Sequence, residues 1–188
     1  MQDDKLIWQE NWRKAIGDYR IFSIDAIERS SSDGHSNTFF SINSPPWVMV
    51  IALHEVAGEQ QVVMVRQFRH GVGKITCEFP AGLVDAGESP HDAARRELAE
   101  ECAYSAGNMV HIGSNNPNPA LFANQMHIFL ATQLSPLPRQ QLDADERLEV
   151  LSLPLAELKQ QLGHGEFDHA LLLMAWFWYQ KYCQSMDS

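Results

Sequence analysis

Three glutamates crowd into a five-residue stretch of this chain: Glu97, Glu100 and Glu101. In a helix, successive residues turn by about 100°, which gathers these carboxylates on one face. Ala94, Leu98 and Cys102 fall on another side, suited to packing on a core. Like charges so close repel unless something positive stands among them. Hard cations such as Mg²⁺ take oxygen ligands from one or two carboxylates and keep waters and substrate phosphates for the rest. The plainer alternative is a solvated acidic face on which Arg96 pairs with Glu100 at i, i+4.

The helix itself is well signalled. Ser89 suits the N-cap, and Pro90 suits the first helical position, where a missing N–H costs nothing. His91 to Cys102 contains no breaker and is rich in good helix formers. Before it, Phe79-Pro80-Ala81-Gly82 reads as a sharp turn that brings backbone carbonyls near the acidic face.

The spacing reaches beyond the helix. Gly82 is followed by Glu88, then by Arg96-Glu97-Leu98, then by Glu100-Glu101. That order resembles the Nudix box, G-x5-E-x7-R-E-U-x-E-E-x-G-U, where U is aliphatic. The chain departs from it at Ala103, where glycine is usual, and at Tyr104, where an aliphatic residue is usual. The departure bears on the helix C-terminus, where Gly107 is the candidate to take over capping. The resemblance covers roughly residues 46–182 and implies an α/β/α sandwich. It implies metal ligands at Glu97, Glu100, Glu101 and the Ala81 carbonyl, for Mg²⁺ or in its place Mn²⁺. It also implies an internal ion pair of Glu88 with Arg96.

Three features are similar to the ADP-ribose and nucleoside-diphosphate-sugar pyrophosphatase branch of that family. They are Val65-Arg66-Gln67-Phe68-Arg69 followed by Glu78-Phe79-Pro80-Ala81-Gly82, a proline past the box at Pro119, and an N-terminal hairpin. Pro117 and Pro119 also suit an ordinary loop. The branch implies substrate-binding roles for Arg69, Trp47, Glu78 and Pro119. A guanidinium at Arg69 suits a diphosphate, and an exposed arginine at a strand end is the alternative. Trp47, Trp8 and Trp12 are candidates to stack on the base, or else core and interface residues. The general base is expected at Glu146, with Asp143 and Asp145 behind it, unless that segment is an ordinary acidic surface loop, and Glu100 is a further catalytic candidate. The reaction implied is hydrolysis of a nucleoside diphosphate sugar to a nucleoside monophosphate and a sugar phosphate. GDP-mannose or dinucleoside-polyphosphate hydrolysis and non-catalytic nucleotide-sugar sensing are the alternatives. Retention of all the box glutamates weighs against a sensor.

Composition sets the frame. A chain of 188 residues with 45% hydrophobic content suits one domain with a small N-terminal extension. A net charge of −10 argues against a nucleic-acid surface. Cys77, Cys102 and Cys183 form no C-x-x-C pair and read as reduced thiols of a cytoplasmic protein, packed as small hydrophobes. The acidic N-terminus has no signal-peptide core, and the apolar run Ala170 to Tyr179 is too short to span a bilayer. No membrane partner is expected.

The expected fold class is α+β: a mixed sheet between helices, preceded by an N-terminal β-hairpin. Residues 1–45 are expected as arm and hairpin, serving a homodimer and part of the substrate pocket, and residues 46–188 as the hydrolase domain. Leu6 to Ile16 reads as a short helix or arm, and Tyr19 to Ile27 and Thr38 to Ile42 as the hairpin. Further strands are expected at Trp47–Leu53, Gln61–Phe68, Ile75–Phe79, Met109–Ile112, Gln125–Thr132 and Leu148–Leu153. Leu134 to Glu146 reads as a loop, and Pro154–Leu162 and Phe167–Tyr182 as closing helices.

Overall fold

The computed structural model describes residues 5–186, so the acidic start of the chain, residues 1–4, lies outside the described residues. The chain divides into two compact units, Met1–Pro45 with Asn116–Gln125, and Pro46–Asn115 with Met126–Ser188.

The first unit is a three-stranded antiparallel sheet of β1 (Trp8–Asp18), β2 (Ser23–Ser31) and β3 (Ser36–Asn43), in that order. The helix or arm expected over Leu6 to Ile16 is instead β1, so the hairpin carries a third strand. Its residues find non-local partners that outweigh the helical spacing of the tryptophans: Arg13 reaches Asp25 at 2.9 Å, and Arg29 reaches Glu10 at 2.9 Å. Register shifts between Glu10 and Trp12, and between Ala15 and Gly17, bend the strand. The Asn116–Gln125 segment joins this unit through Ile42, which donates to the Leu121 carbonyl at 2.8 Å and accepts from Ala123 at 3.0 Å.

The second unit is built on a seven-stranded mixed sheet. Its main path runs β10 (Leu148–Pro154), β5 (Glu59–Arg69), β4 (Trp47–Val56), β9 (Met126–Pro136), β8 (Tyr104–Asn115). β6 (Lys74–Glu78) pairs with β5, and β7 (Ala81–Leu83) pairs with β4. β4 and β9 run parallel; the other pairs are antiparallel. Among the described residues, three α-helices complete it: α1 (Pro90–Cys102), α2 (Leu155–Gln161) and α3 (Ala170–Met186).

Both faces of this sheet are buried, which is why β4 reads as an unbroken apolar run rather than an alternation. Met49, Ile51 and Leu53 join one core with Leu158, Leu172, Ala175 and Tyr179 of α2 and α3. Val48, Val50 and Ala52 join the other with Ala93, Ala94, Leu98 and Cys102 of α1. The result is a sheet sandwiched between helices. Gly113 permits the outer packing, because a Cβ there would stand 2.1 Å from the Trp178 ring of α3.

Several boundaries differ from the expected ones. β8 begins at Tyr104, well before Met109, because Tyr104 to Ala106 pair with Leu134 to Pro136. That same pairing shortens the loop expected from Leu134. Ala81 to Leu83 forms a three-residue strand on Trp47 to Met49 rather than only a turn. A 3-10 turn at Gly165–Phe167 precedes α3, which starts at Ala170. Cys77 and Cys102 are buried, with burial pushing the Cys77 thiol up to about 12, and Cys183 is half-buried. Among the described residues, no helix is long and apolar enough to cross a membrane.

Candidate functional site

α1 carries the acidic face, and its ends are fixed locally. Ser89 is the N-cap, its hydroxyl accepting the Asp92 N–H at 3.1 Å, with Pro90 opening the first turn. At the other end Ala103 itself adopts the left-handed conformation, φ 54° and ψ 42°, and its N–H returns to the last turn. Gly107 lies within β8, so it does not take over the cap.

The three glutamates differ in their surroundings. Glu97 and Glu101 are buried, whereas the Glu100 side chain is 37% exposed. Gly82 makes room for Glu97: a Cβ at that position would stand 2.0 Å from the Glu97 Oε1. Glu101 Oε2 accepts the Ala81 N–H at 3.0 Å, which ties the helix to β7. Burial raises both buried carboxyls, Glu101 to about 8; the charges of Glu97 and Glu146 add to its rise, and the Ala81 N–H and the Arg69 charge oppose it.

Arg96 organises the outer side. Its Nε and Nη2 each meet Glu88 at 3.0 Å, and Nη2 also donates to the Leu83 carbonyl at 2.8 Å. Its Nη1 bridges Glu97 at 2.7 Å and Glu100 at 3.0 Å. Hydrogen bonding to Arg96 holds Glu88 below the usual carboxylate range.

Glu78 lies deeper, with none of its surface exposed. Arg69 grips it through two nitrogens, Nε to Oε1 at 2.8 Å and Nη2 to Oε2 at 2.7 Å. Thr76 donates to Oε1 at 2.6 Å, and His169 Nδ1 stands 2.9 Å from Oε2. Burial alone would raise this carboxyl, but Arg69, His169 and Thr76 together hold it well below its usual range. Arg69 is therefore neither free in solvent nor isolated at a strand end. It is close enough to Glu101 for the two charges to act on each other.

Glu146, with Asp143, lines an open groove of about 710 Å³ alongside Arg66, Phe68 and Arg147. Its carboxylate accepts the Asp143 N–H at 2.9 Å, and its charge reaches Glu97 and Glu101. Trp47 opens β4 and is partly buried against the core, between Leu83 and Met126 in register. Pro119 belongs to the first unit and lines a cavity of about 450 Å³ there with Trp8, Arg29 and Phe39. Trp8 meets Phe39 edge-on at 5.3 Å, and Trp12 is exposed.

The donor set suits a hard cation without forming a finished cage. Among the described residues, no group of three or more His, Cys, Asp or Glu is arranged to hold a metal. Arg96 accounts for part of this, since one of its nitrogens occupies both Glu97 and Glu100. Two buried carboxylates beside a close-approaching backbone still fit Mg²⁺, which needs few protein ligands. Nothing in the sequence pattern singles out Thr76, or gives the reason for a glycine at 82. Nothing in the local pattern marks His169, which stands far along the chain from Glu78.

The NUDIX domain family matches residues 45–174. The chain belongs to the Nudix family, and it is an enzyme of the Nudix hydrolase class. It is 33% identical to the ADP-ribose pyrophosphatase of Bacillus subtilis over 77% of this chain and 80% of that one. It is 26% identical to the ADP compounds hydrolase NudE of Escherichia coli over 84% of this chain and 83% of that one. A crystal structure of an ADP compounds hydrolase matches its fold with a TM-score of 0.82 and 24% identity, covering 95% of both chains.

Proposed function

We propose that this enzyme is a divalent-metal-dependent pyrophosphohydrolase of nucleoside diphosphate sugars, with ADP-ribose its leading substrate. The observation that carries the reading is the buried Glu101, which has negative neighbours and a single backbone donor at 3.0 Å. Such a group calls for a cation and a substrate to complete it. The names of the similar proteins favour an ADP compound.

Glu97 and Glu101, with the Ala81 carbonyl and Glu100 at the rim, would hold Mg²⁺ or Mn²⁺. The bound cation supplies charge neutralisation on the diphosphate and polarises its oxygens. Arg69, fixed by Glu78, offers a guanidinium to the same diphosphate. Glu146 takes a proton from the attacking water. The new bond forms between that water's oxygen and one phosphorus, and the bridging P–O bond breaks. The products are a nucleoside monophosphate and a sugar phosphate. Glu88 and Arg96 hold loop to helix and keep the glutamates in place. The first unit, with exposed Trp12, Ile16 and Phe40, is assigned to a homodimer and to part of the substrate pocket. Its stoichiometry is read by light scattering. No nucleic-acid or membrane partner enters this reading, and the enzyme is assigned to the cytoplasm.

The test is product formation with Mg²⁺ on ADP-ribose, GDP-mannose, UDP-glucose and a diadenosine polyphosphate, with products identified by mass. Monophosphate plus sugar phosphate, fastest from ADP-ribose, is expected. Turnover of the diadenosine compound alone would move the enzyme to another substrate class. Binding without turnover on all four would make it a sensor.

A further inference from the structure

The Glu78 carboxylate offers two oxygens with about four lone-pair sites between them. Arg69 takes one on each oxygen, and Thr76 takes a second on Oε1. The fourth site, on Oε2, faces His169 Nδ1 at 2.9 Å. That nitrogen is itself buried and has no other hydrogen-bond partner, so the Glu78 carboxylate is the polar group it faces. Three elements thus converge on one carboxylate: the end of β5, β6 and the residue before α3.

The segment carrying His169 is not free to drift. Glu166 meets Arg66 at 2.7 Å, and Asp168 pairs with Lys74 of β6. On its other side α3 is anchored by Leu172, Ala175 and Tyr179 in the core. His169 is therefore presented to Glu78 by a clamped segment, in line with two neighbouring ion pairs.

Arg69 needs such support. Its side chain is 40% exposed and sits at the end of β5, just before a turn. Glu78 occupies Nε and Nη2, which leaves Nη1 for a ligand. A guanidinium fixed at two nitrogens is pre-organised for an anion, and less entropy is lost on binding. Its fixity is only as good as that of the carboxylate holding it. Losing the imidazole would open a gap beside Oε2 in a buried site and allow the pair to re-orient.

We propose that His169 is a positioning residue for diphosphate binding: it completes the donor ring around Glu78 and, through Glu78, fixes the Arg69 guanidinium. This rests on the reading of Arg69 as a diphosphate contact. His169 need not touch the substrate.

The two imidazole nitrogens have distinct amide mimics. The Asn amide nitrogen falls near Nδ1, and the Gln amide nitrogen falls near Nε2. The experiment is steady-state kinetics of ADP-ribose hydrolysis, with ADP binding by calorimetry, for wild type, H169N, H169Q, H169A, R69A and the R69A/H169A double variant. H169A and H169Q are expected to raise KM and the ADP Kd about tenfold with kcat changed far less, while H169N stays near wild type. In the R69A background, H169A is expected to add nothing. Should H169A fail to fold, the contrast between H169N and H169Q carries the test alone. Unchanged KM and Kd in H169A, equal impairment of H169N and H169Q, or additive losses with R69A would each overturn the proposal. A wild type that binds ADP without hydrolysing any nucleotide sugar would sink the hydrolase reading, while the Kd pattern still decides the role of His169. A wild type that neither binds ADP nor turns over substrate overturns both.

Discussion

Glu78 and Glu101 are both almost wholly buried, yet burial has opposite outcomes for them. Glu78 sits among Arg69, Thr76 and His169 and is held below the usual range. Glu101 has one backbone donor and acidic neighbours, and its carboxyl is pushed up to about 8. A buried charge is tolerable only when paired. Glu78 has its cation within the fold, in Arg69. Glu101 has no ion pair of its own, only the more distant charge of Arg69, and its carboxyl keeps its proton instead. The first is a fixture of the site, and the second is its unfinished half.

The largest effect should come from removing the unfinished half. Glu101→Gln is expected to cut turnover about a thousandfold or more with saturating Mg²⁺, the loss of several kcal/mol of metal-assisted stabilisation. The fold should survive, because an amide still accepts the Ala81 N–H. Measured by product formation and circular dichroism, a wild-type rate for this variant would show that Glu101 is not the residue awaiting a cation.

Glu78→Gln tests the other side. It leaves Arg69 without its counter-charge, and breaking a buried pair costs roughly 3–5 kcal/mol. Because Arg69 is 40% exposed, the expected loss is at the low end, about 3 kcal/mol, or roughly 10 °C in Tm. A melting curve within a degree of wild type would mean that the pair is not a fixture.

The contrast also has a pH signature. Unfolded Glu101 releases its proton near 4.5, and the folded carboxyl keeps it to about 8. Between those values the folded protein holds the extra proton. Stability of the metal-free protein is therefore greatest from this group below 4.5 and falls as pH rises to about 8, by at most about 1.4 kcal/mol per pH unit. Glu97 leans the same way. Glu78 does the reverse: its contribution is present above 4.5 and lost as pH falls. Chemical denaturation of the metal-free protein from pH 5 to 8 should show the decline, and millimolar Mg²⁺ should flatten it. A flat metal-free profile would remove the distinction between the two glutamates.

The sequence exposed one half of this contrast more clearly than the other. The box reads off directly because Gly82 to Glu101 is one loop and one helix, and Ser89-Pro90 marks where the helix begins. β4 and β5 announce themselves as apolar runs because both faces of their sheet are covered. The Glu78 ring is another matter. Arg69, Thr76, Glu78 and His169 come from three places, and no spacing rule connects them. β1 was obscured for a related reason: Trp8 and Trp12 fit a helix locally, and only pairing with β2 makes the segment a strand. The first half of β8 is polar and gains its order from Leu134 to Pro136. Gly82 is conspicuous as a motif letter, but its purpose is visible only once Glu97 is found where a Cβ would be.

The smallest effect separates the helix from the charge it carries. Ala103 stands where the family pattern has glycine, and it adopts φ 54° to close α1. An L-residue with a Cβ pays roughly 1–2 kcal/mol in that region, partly offset by the greater freedom glycine has when unfolded. Ala103→Gly should therefore gain about 0.5–1 kcal/mol, seen as a Tm rise of a few degrees at every pH. The cap survives the change, because the N–H that returns to Ala99 belongs to the backbone. Glu101 lies two residues away and keeps its burial, so the pH slope of the metal-free protein should match wild type. An altered slope would mean that the raised carboxyl depends on strain at the helix end. An unaltered one leaves desolvation beside Glu97 and Glu146 as its cause.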